Sequence, residues 1–291
     1  MPAEIQAPKF LTGLIGAPIA HSAAPAMHEQ AAAALGRRCH YQLIEIAGAD
    51  RNALRALLDG VRRLGFAGVN VTHPYKEAVA DLLDELAPGA AAIGAVNTVV
   101  VRQGRLIGYN TDTTGFAHAI APFIAGARAG SIALIGAGGV GKAIASALAG
   151  LKVPAIRIFD TERARADKLA SLLGSHDGIH VCGSVEDALE GAIGLVNATP
   201  VGMLPNRATP VPAELLHERL WVADAVYWPL FTPLLTAALA KGARIMTGRE
   251  LAIYQAADAF ELFTGRTPSI AVLGAAFDAA IGVKTSGSDT A

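Results

Sequence analysis

The chain has 291 residues, more than one compact core usually holds, so two domains are expected. Hydrophobic residues make up 52% and charged residues 17%, with 24 Lys and Arg against 25 Asp and Glu for a net charge of −1. That balance, without any basic block, excludes nucleic acid and an anionic membrane as natural partners and leaves a small-molecule ligand as the better fit.

In chain order, LTGLIGAPI reads as a strand, PAMHEQAAAALG as a helix, HYQLIEI as a strand, NALRALLDGVRRLG as a helix and GVNVT as a third strand. YKEAVADLLDEL then has helical spacing, and NTVVVRQGRLIGYN gives two β-rich runs around Gln103 and Gly104, a hairpin signal. From about residue 113 a second alternating series runs through SIALIGAGGVGKAIASALAGLKVPAIRIFD, IGLVNAT, WVADAVYW and ARIMTG. GRELAIYQAADAFELFTG and PSIAVLGAAFDAAIGV read as two closing helices that return to the first domain. The fold class is therefore α/β with two domains: an open α/β sheet over residues 1–112 and 249–283, a doubly wound parallel sheet of Rossmann type over 113–248, and a disordered polar tail over 284–291.

Cys39 and Cys182 are the only cysteines, and neither sits in a C-x-x-C pair or a Cys/His cluster, so two buried thiols are expected and no disulfide or metal site. MPAEIQAPKF lacks a charged and then apolar leader, and there is no uninterrupted apolar run of about 18 residues, which makes the cytoplasm the expected location.

The most informative stretch is SIALIGAGGVGKA. Gly136, Gly138 and Gly141 fit G-x-G-x-x-G between an apolar strand and a helix: the first glycine makes the tight turn, the second lets the backbone approach a pyrophosphate, and the third lets the helix pack closely. The amides of Gly139 and Val140 belong to the same helix start, whose free N–H groups face phosphates. Asp160 ends the next strand at about the 20-residue spacing where a carboxylate accepts hydrogen bonds from the adenosine ribose. A 2′-phosphate would meet a negative charge there, so NAD is expected over NADP, although Arg163 and Arg165 leave NADP as a second choice.

Polar residues also follow apolar strands in the first half. GVNVT runs into His73, Pro74, Tyr75 and Lys76, with Thr72 at the strand end; His73 reads as structural. A lysine at the start of the helix expected there is electrostatically unfavourable beside the positive dipole end, which suits proton transfer. Asn97 and Thr98 follow AAIGAV, and Asn110, Thr111 and Asp112 end the hairpin, so Asp112 is a candidate partner for Lys76. Taken singly, Lys76 also reads as a solvated helix lysine and Asp112 as a helix cap.

The order of motifs HSAAPAMHEQ, NVTHPYK, GAVNT, YNTD with Gly115, GAGGVGKA, NATPVGM, DAVYWPLFTPLL and the helix containing Gln255 resembles the shikimate dehydrogenases over roughly residues 12–282. The acid in the cofactor turn resembles the NAD-using quinate/shikimate dehydrogenase branch, since the NADP branch carries an Asn-Arg-Thr turn there. This resemblance implies an NAD(P)-dependent alcohol dehydrogenase of the shikimate pathway of aromatic amino acid biosynthesis or of quinate catabolism, a monomer or homodimer, moving hydride between a ring carbon bearing the 3-hydroxyl and a nicotinamide. It implies Lys76 as general acid/base and Asp112 as its orienting partner, with Asn97, Thr72 and Gln255 on ring hydroxyls, Ser22 on the carboxylate and Tyr227 closing over the substrate. Arg165 and Thr199 are further cofactor-side candidates, and the same resemblance places Val201, Gly202, Met203 and Leu251 along the nicotinamide pocket.

One departure stands out. The family offers Ser-x-Ser or Ser-x-Thr to the substrate carboxylate, whereas here Ser22 is followed by Ala23 and Ala24. Weak binding of shikimate, or a substrate that differs near its carboxylate, is the consequence. The alternatives are therefore a dehydrogenase for an amino-substituted shikimate analogue in secondary metabolism, and a protein that binds NAD and a ring acid without turnover.

Overall fold

The computed structural model describes residues 9–125, 130–174 and 178–282; the tail expected over 284–291 lies outside them. In chain order the elements begin with β1 (Lys9–Gly16), α1 (Ala24–Ala34), β2 (Arg38–Glu45), α2 (Arg51–Arg63), β3 (Gly68–Val71), β4 (Glu85–Leu86), α3 (Pro88–Ile93), β5 (Thr98–Arg102) and β6 (Arg105–Tyr109). There follow α4 (Thr111–Ile124), β7 (Ser131–Ile135), α5 (Gly139–Gly150), β8 (Ala155–Phe159), α6 (Arg163–Leu172), β9 (Ile179–Val181) and α7 (Val185–Leu189). The series closes with β10 (Ala192–Asn197), β11 (Trp221–Asp224), α8 (Pro233–Ala240), β12 (Arg244–Met246), α9 (Gly248–Thr264) and α10 (Ile270–Ala280). Contacts divide the chain into two compact units: one runs through Ala90, with Val96–Thr111 and the part from Ala256 onward, and the other holds Ala91–Ala95 and Asp112–Gln255.

The first unit carries a mixed six-stranded sheet in the order β2-β1-β3-β5-β6-β4. β1 pairs in parallel with β2 and β3, while β5 runs antiparallel to β3 and β6. The hairpin turn has Gln103 and Gly104 both at positive φ, 51° and 75°, the geometry a two-residue turn needs to follow strand twist. On α2, Leu54, Leu58 and Val61 recur at helical spacing and are buried with Ile15, Val69, Val71 and Val99, and the Asp50 carboxylate caps the helix by accepting from the Ala53 amide at 2.8 Å. α10 packs on α1.

The helix expected over Tyr75–Leu86 is absent. Only a single 3₁₀ turn, Ala80–Leu82, forms before β4. Pairing with β6 wins over helical spacing: the Asp84 amide donates to the Leu106 carbonyl, its carboxylate accepts from the Leu106 amide at 2.7 Å, and Ala87 donates to Gly108. Lys76 therefore begins no helix, and the dipole argument for it falls away.

His28 on α1 is buried against Tyr41, Phe260 and Phe263, with ring centroids at 4.7, 5.9 and 5.9 Å. Its Nδ1 has no hydrogen-bond partner among the described residues, and burial pushes the imidazole down to about 3. The unfolded chain takes up a proton near pH 6.5 that the folded chain refuses until about pH 3, so stability is lost as pH falls through that window. At about 1.4 kcal/mol per pH unit, the loss from this group at pH 5 is roughly 2 kcal/mol. His28→Phe should shrink the difference in unfolding free energy between pH 7.5 and pH 5 by about that amount in paired urea titrations; an unchanged difference would contradict the assignment.

The second unit holds a six-stranded parallel sheet in the order β12-β11-β10-β7-β8-β9, the doubly wound arrangement whose direction reverses between β7 and β10. Its apolar layers pack Ile132, Leu134, Ile144, Leu148 and Ile158 on one face and Ala133, Leu195, Val222 and Leu235 on the other. The strand expected over WVADAVYW stops at Asp224, because the Val226 amide turns back onto the Asp224 carboxylate at 2.9 Å. Cys182 is buried and Cys39 half-buried, both as free thiols that burial raises above the ordinary thiol range. Among the described residues no His/Cys/Asp/Glu group is placed to hold a metal, and no helix is long and apolar enough to cross a membrane.

Candidate active site

In the first unit the predicted substrate residues gather where β1 and β3 end and β5 begins. The Thr72 amide donates to Ile15, and Ala17 donates to His73, so the loops leaving β1 and β3 run side by side. Gly16 permits that approach: a Cβ there would lie 2.3 Å from the Thr72 methyl group. Ser22 is anchored by its amide on the Ile19 carbonyl, and its Oγ accepts from the Ala24 amide at 3.2 Å, which leaves the hydroxyl hydrogen for another acceptor. Lys76 lies half-buried in the turn after β3, its carbonyl accepting from the Val96 amide at 2.8 Å.

Asn97 organises this end of the sheet. Its Oδ1 accepts from the Thr111 amide at 2.7 Å and from the Thr98 hydroxyl at 3.1 Å, and its Nδ2 donates to Thr111 Oγ1 at 3.0 Å. The second Nδ2 hydrogen remains for a ligand. Asn70 supports it from below, donating to the Asn97 carbonyl and to Thr98 Oγ1 while accepting from the Tyr41 hydroxyl at 2.8 Å.

In the second unit Asp112 lies in the first turn of α4 and is buried. Gly115, one turn on, lets α9 approach: a Cβ there would meet the Gln255 amide nitrogen at 2.6 Å. Gln255 Nε2 donates to the Ala252 carbonyl at 3.0 Å. Asp112 and Gln255 are thus held on closely packed helices.

The glycine turn has the geometry its spacing requires. Gly136 adopts φ +103°, and a Cβ on it would lie 2.8 Å from the Thr199 methyl group. A Cβ on Gly141 would fall 2.1 Å from the Gly136 carbonyl oxygen, so α5 can reach β7 only without one. Gly138 differs, because a Cβ there meets nothing within 4 Å. Gly138 is the N-cap of α5, and it is followed by Gly139 and Val140, whose first-turn N–H groups lack intrahelical acceptors. Asp160 is fixed by two amides, Ala137 onto Oδ2 at 2.7 Å and Glu162 onto Oδ1 at 2.8 Å, and each oxygen keeps lone-pair capacity for a ribose hydroxyl. An acceptor-only carboxylate, a glycine cradle and a helix N-terminus fit a dinucleotide. Arg165 is exposed and pairs with Glu162 at 2.8 Å, and Arg163 pairs with Asp167 at 3.7 Å.

On the other side of the turn, Thr199 and Val201 lie in the loop after β10, with the Val201 amide donating to Thr199 Oγ1 at 3.1 Å. Met203 is 40% exposed, whereas Leu251 is packed into the core with Ile120 and Met246. Tyr227 is half-buried in the segment between β11 and α8.

The chain is similar to known proteins over nearly its whole length. The family model described as the shikimate dehydrogenase substrate binding domain matches residues 14–99. A shikimate dehydrogenase (NADP(+)) of Streptomyces avermitilis is 46% identical over 266 residues, 89% of this chain and 91% of that protein. A quinate/shikimate dehydrogenase (NAD(+)) of Corynebacterium efficiens is 43% identical over 277 residues, 92% of this chain and 97% of that protein. The chain belongs to the shikimate dehydrogenase family. Among solved structures, quinate dehydrogenase from Corynebacterium glutamicum in complex with NAD superposes with a TM-score of 0.86 at 39% identity, covering 94% of this chain and 99% of that one.

In this shikimate dehydrogenase family member the sequence left one polar group unflagged. Asn197 and Asp224 end β10 and β11 side by side, both fully buried, with Asn197 Nδ2 donating to Asp224 Oδ1 at 2.9 Å. Burial pushes the Asp224 carboxyl up to about 6, against hydrogen bonds from Thr232, Val226 and Asn197 that hold it down. The signal was present as a polar residue at the carboxyl end of each apolar strand, IGLVN and WVAD, the place where ligands of such sheets bind.

Proposed function

We propose that the protein is a dehydrogenase that uses NAD to interconvert quinate- or shikimate-type ring carboxylates and their 3-dehydro ketones. The observation that carries this is the glycine turn closed by Asp160 in a chain that also holds Lys76 and Asp112. Oxidation of an alcohol needs a base for the hydroxyl proton. Lys76 takes that proton as a neutral amine and returns it when the ketone is reduced, with Asp112 as its orienting partner. Nicotinamide, when bound, supplies the hydride chemistry.

The Asn97 amide, Thr72 and Gln255 hold ring hydroxyls, Ser22 donates to the carboxylate, and Tyr227 closes over the substrate. Gly136, Gly138, Gly139, Val140 and Gly141 hold the pyrophosphate, while Thr199, Val201 and Met203 face the nicotinamide. Leu251, the remaining candidate for that pocket, is buried in the core cluster with Ile120 and Met246. Asp160 sets the cofactor preference: a 2′-phosphate would bring like charges together, which costs several kcal/mol. Arg165 is paired with Glu162 instead.

A matrix of quinate and shikimate against NAD and NADP tests both parts. We expect kcat/KM with NAD to exceed that with NADP by about a hundredfold or more. A larger value with NADP overturns the cofactor assignment, and failure to oxidise either acid with either cofactor overturns the dehydrogenase assignment.

Ala24 favours a second reading, a ring acid altered near its carboxylate, such as an amino-substituted analogue. A hydrogen bond to a charged group contributes about 1.5–3 kcal/mol. Ala24→Ser should accordingly lower the KM for quinate or shikimate about tenfold. An unchanged or raised KM, with turnover of an amino-substituted acid, selects the second reading.

A further inference from the structure

Three side chains at the end of β10, the end of β11 and the start of α8, Asn197, Asp224 and Thr232, form one buried network that reaches the half-buried Thr199. Asn197 uses all its polar capacity on loop atoms and Asp224: Oδ1 accepts from the Thr199 amide at 3.0 Å and the Thr199 hydroxyl at 2.7 Å, while Nδ2 donates to the Val201 carbonyl at 3.2 Å and to Asp224 Oδ1. Asp224 Oδ1 also accepts from the Val226 amide, and its Oδ2 accepts from the Thr232 hydroxyl at 2.7 Å. Thr232 Oγ1 in turn caps α8 by accepting from the Leu235 amide at 3.2 Å. The left-handed residue Gly202, φ +96°, turns the first loop against the same threonine, since a Cβ there would touch Thr232 Cβ at 3.4 Å.

Sheet stability does not require this arrangement. The strands pair through their backbones, and a buried carboxylate carries a desolvation penalty that apolar residues of similar volume would avoid. What the carboxylate does is bind backbone. Among the described residues every side-chain hydrogen bond it and Asn197 make ends on the loop 199–203, on the segment 225–232, or on each other.

We propose that Asp224 is a positioning residue that, through Asn197 and Thr232, fixes the backbone of Thr199–Met203 and of the segment carrying Tyr227 as a single body. The proposal rests on the functional reading above for the roles of those two loops. It assigns the coupling of nicotinamide-side and substrate-side loops to one buried acid that touches neither ligand.

The test compares Asp224→Ala, Asp224→Asn and Thr232→Val with the unaltered full chain. Amide hydrogen exchange of the ligand-free protein is read over residues 198–204 and 225–232, alongside kcat and the KM for NAD. Asp224→Ala should speed exchange about tenfold or more in both segments, lower kcat about tenfold and raise the KM for NAD. Asp224→Asn keeps the Oδ1 acceptor for Asn197 and Val226 and can donate from Nδ2 to Thr232 Oγ1, so it should restore protection in both segments and most of kcat.

Faster exchange confined to 225–232, or a lowered Tm with unchanged kcat and KM for NAD, overturns the proposal. If Asp224→Ala does not fold, Thr232→Val decides by the same criterion: protection lost at 225–232 must be accompanied by loss at 198–204. Absence of turnover in the unaltered protein would sink the dehydrogenase reading alone, because the exchange data still decide whether the two loops are coupled.

Discussion

Lys76→Ala should reduce kcat for quinate or shikimate oxidation by about 100- to 10,000-fold, the range that a positioned acid/base contributes. The dissociation constant for the ring acid, measured at equilibrium, should change by less than about tenfold, because the other proposed contacts remain. The fold gives this experiment a clean background. The loop is held by backbone bonds, Tyr75 to Thr72, Val79 to Tyr75 and Val96 to Lys76, and by the Tyr75 hydroxyl, which donates to Ile46 at 2.8 Å and accepts from the Ala49 amide at 2.9 Å. None of these uses the Lys76 ammonium, so its removal does not undo the turn. Lys76→Met, which keeps the apolar stem, should match the alanine variant in kcat. Equal losses in turnover and affinity would instead make Lys76 a binding residue and favour a protein that holds its ligands without reaction.

What the sequence revealed and what it hid follow from the range of the forces involved. α2 was legible because Leu54, Leu58 and Val61 mark one helical face and Asp50 caps it; the hairpin was legible because Gly104 supplies the positive φ of a tight turn between two β-rich runs. The cofactor turn was legible because Gly136 and Gly141 answer local steric demands at the spacing of the motif. By contrast, Val79, Leu82, Leu83 and Leu86 fit a helix as well as the turns and short strand they form, and the partner that decides it, β6, lies some twenty residues away in sequence. β9 has three residues and only partial burial, too little pattern to register. Asp224, covered only as part of the expected strand WVADAVYW, carried no flag of its own because its partners, Asn197 and Thr232, come from other elements. Polar networks of this kind are written in tertiary contacts, and a single polar letter after an apolar run does not distinguish them from a cap.

Two glycines of the cofactor turn should differ in their effect on stability, though not in the direction of their effect on NAD, when the same methyl group is added, and the contrast separates a ligand site from a merely tight turn. At Gly141 a Cβ would stand 2.1 Å from the Gly136 carbonyl oxygen, a backbone atom that cannot rotate aside. Gly141→Ala must therefore push α5 from β7, and overpacking of this kind costs about 1–3 kcal/mol of stability. It should also weaken NAD, since the helix N-terminus moves with it. At Gly138 the backbone is extended, φ −74° and ψ −167°, and a Cβ meets no protein atom within 4 Å. Gly138→Ala should leave Tm within a degree or two of the unaltered chain, in keeping with surface changes of under about 0.5 kcal/mol. If the pyrophosphate approaches the backbone there, the methyl group occupies its space, and the dissociation constant for NAD should rise at least about tenfold in a fluorescence titration, the equivalent of 1.4 kcal/mol. Undiminished NAD affinity in Gly138→Ala would mean that the space in front of α5 holds no phosphate, and the glycines would then serve packing alone.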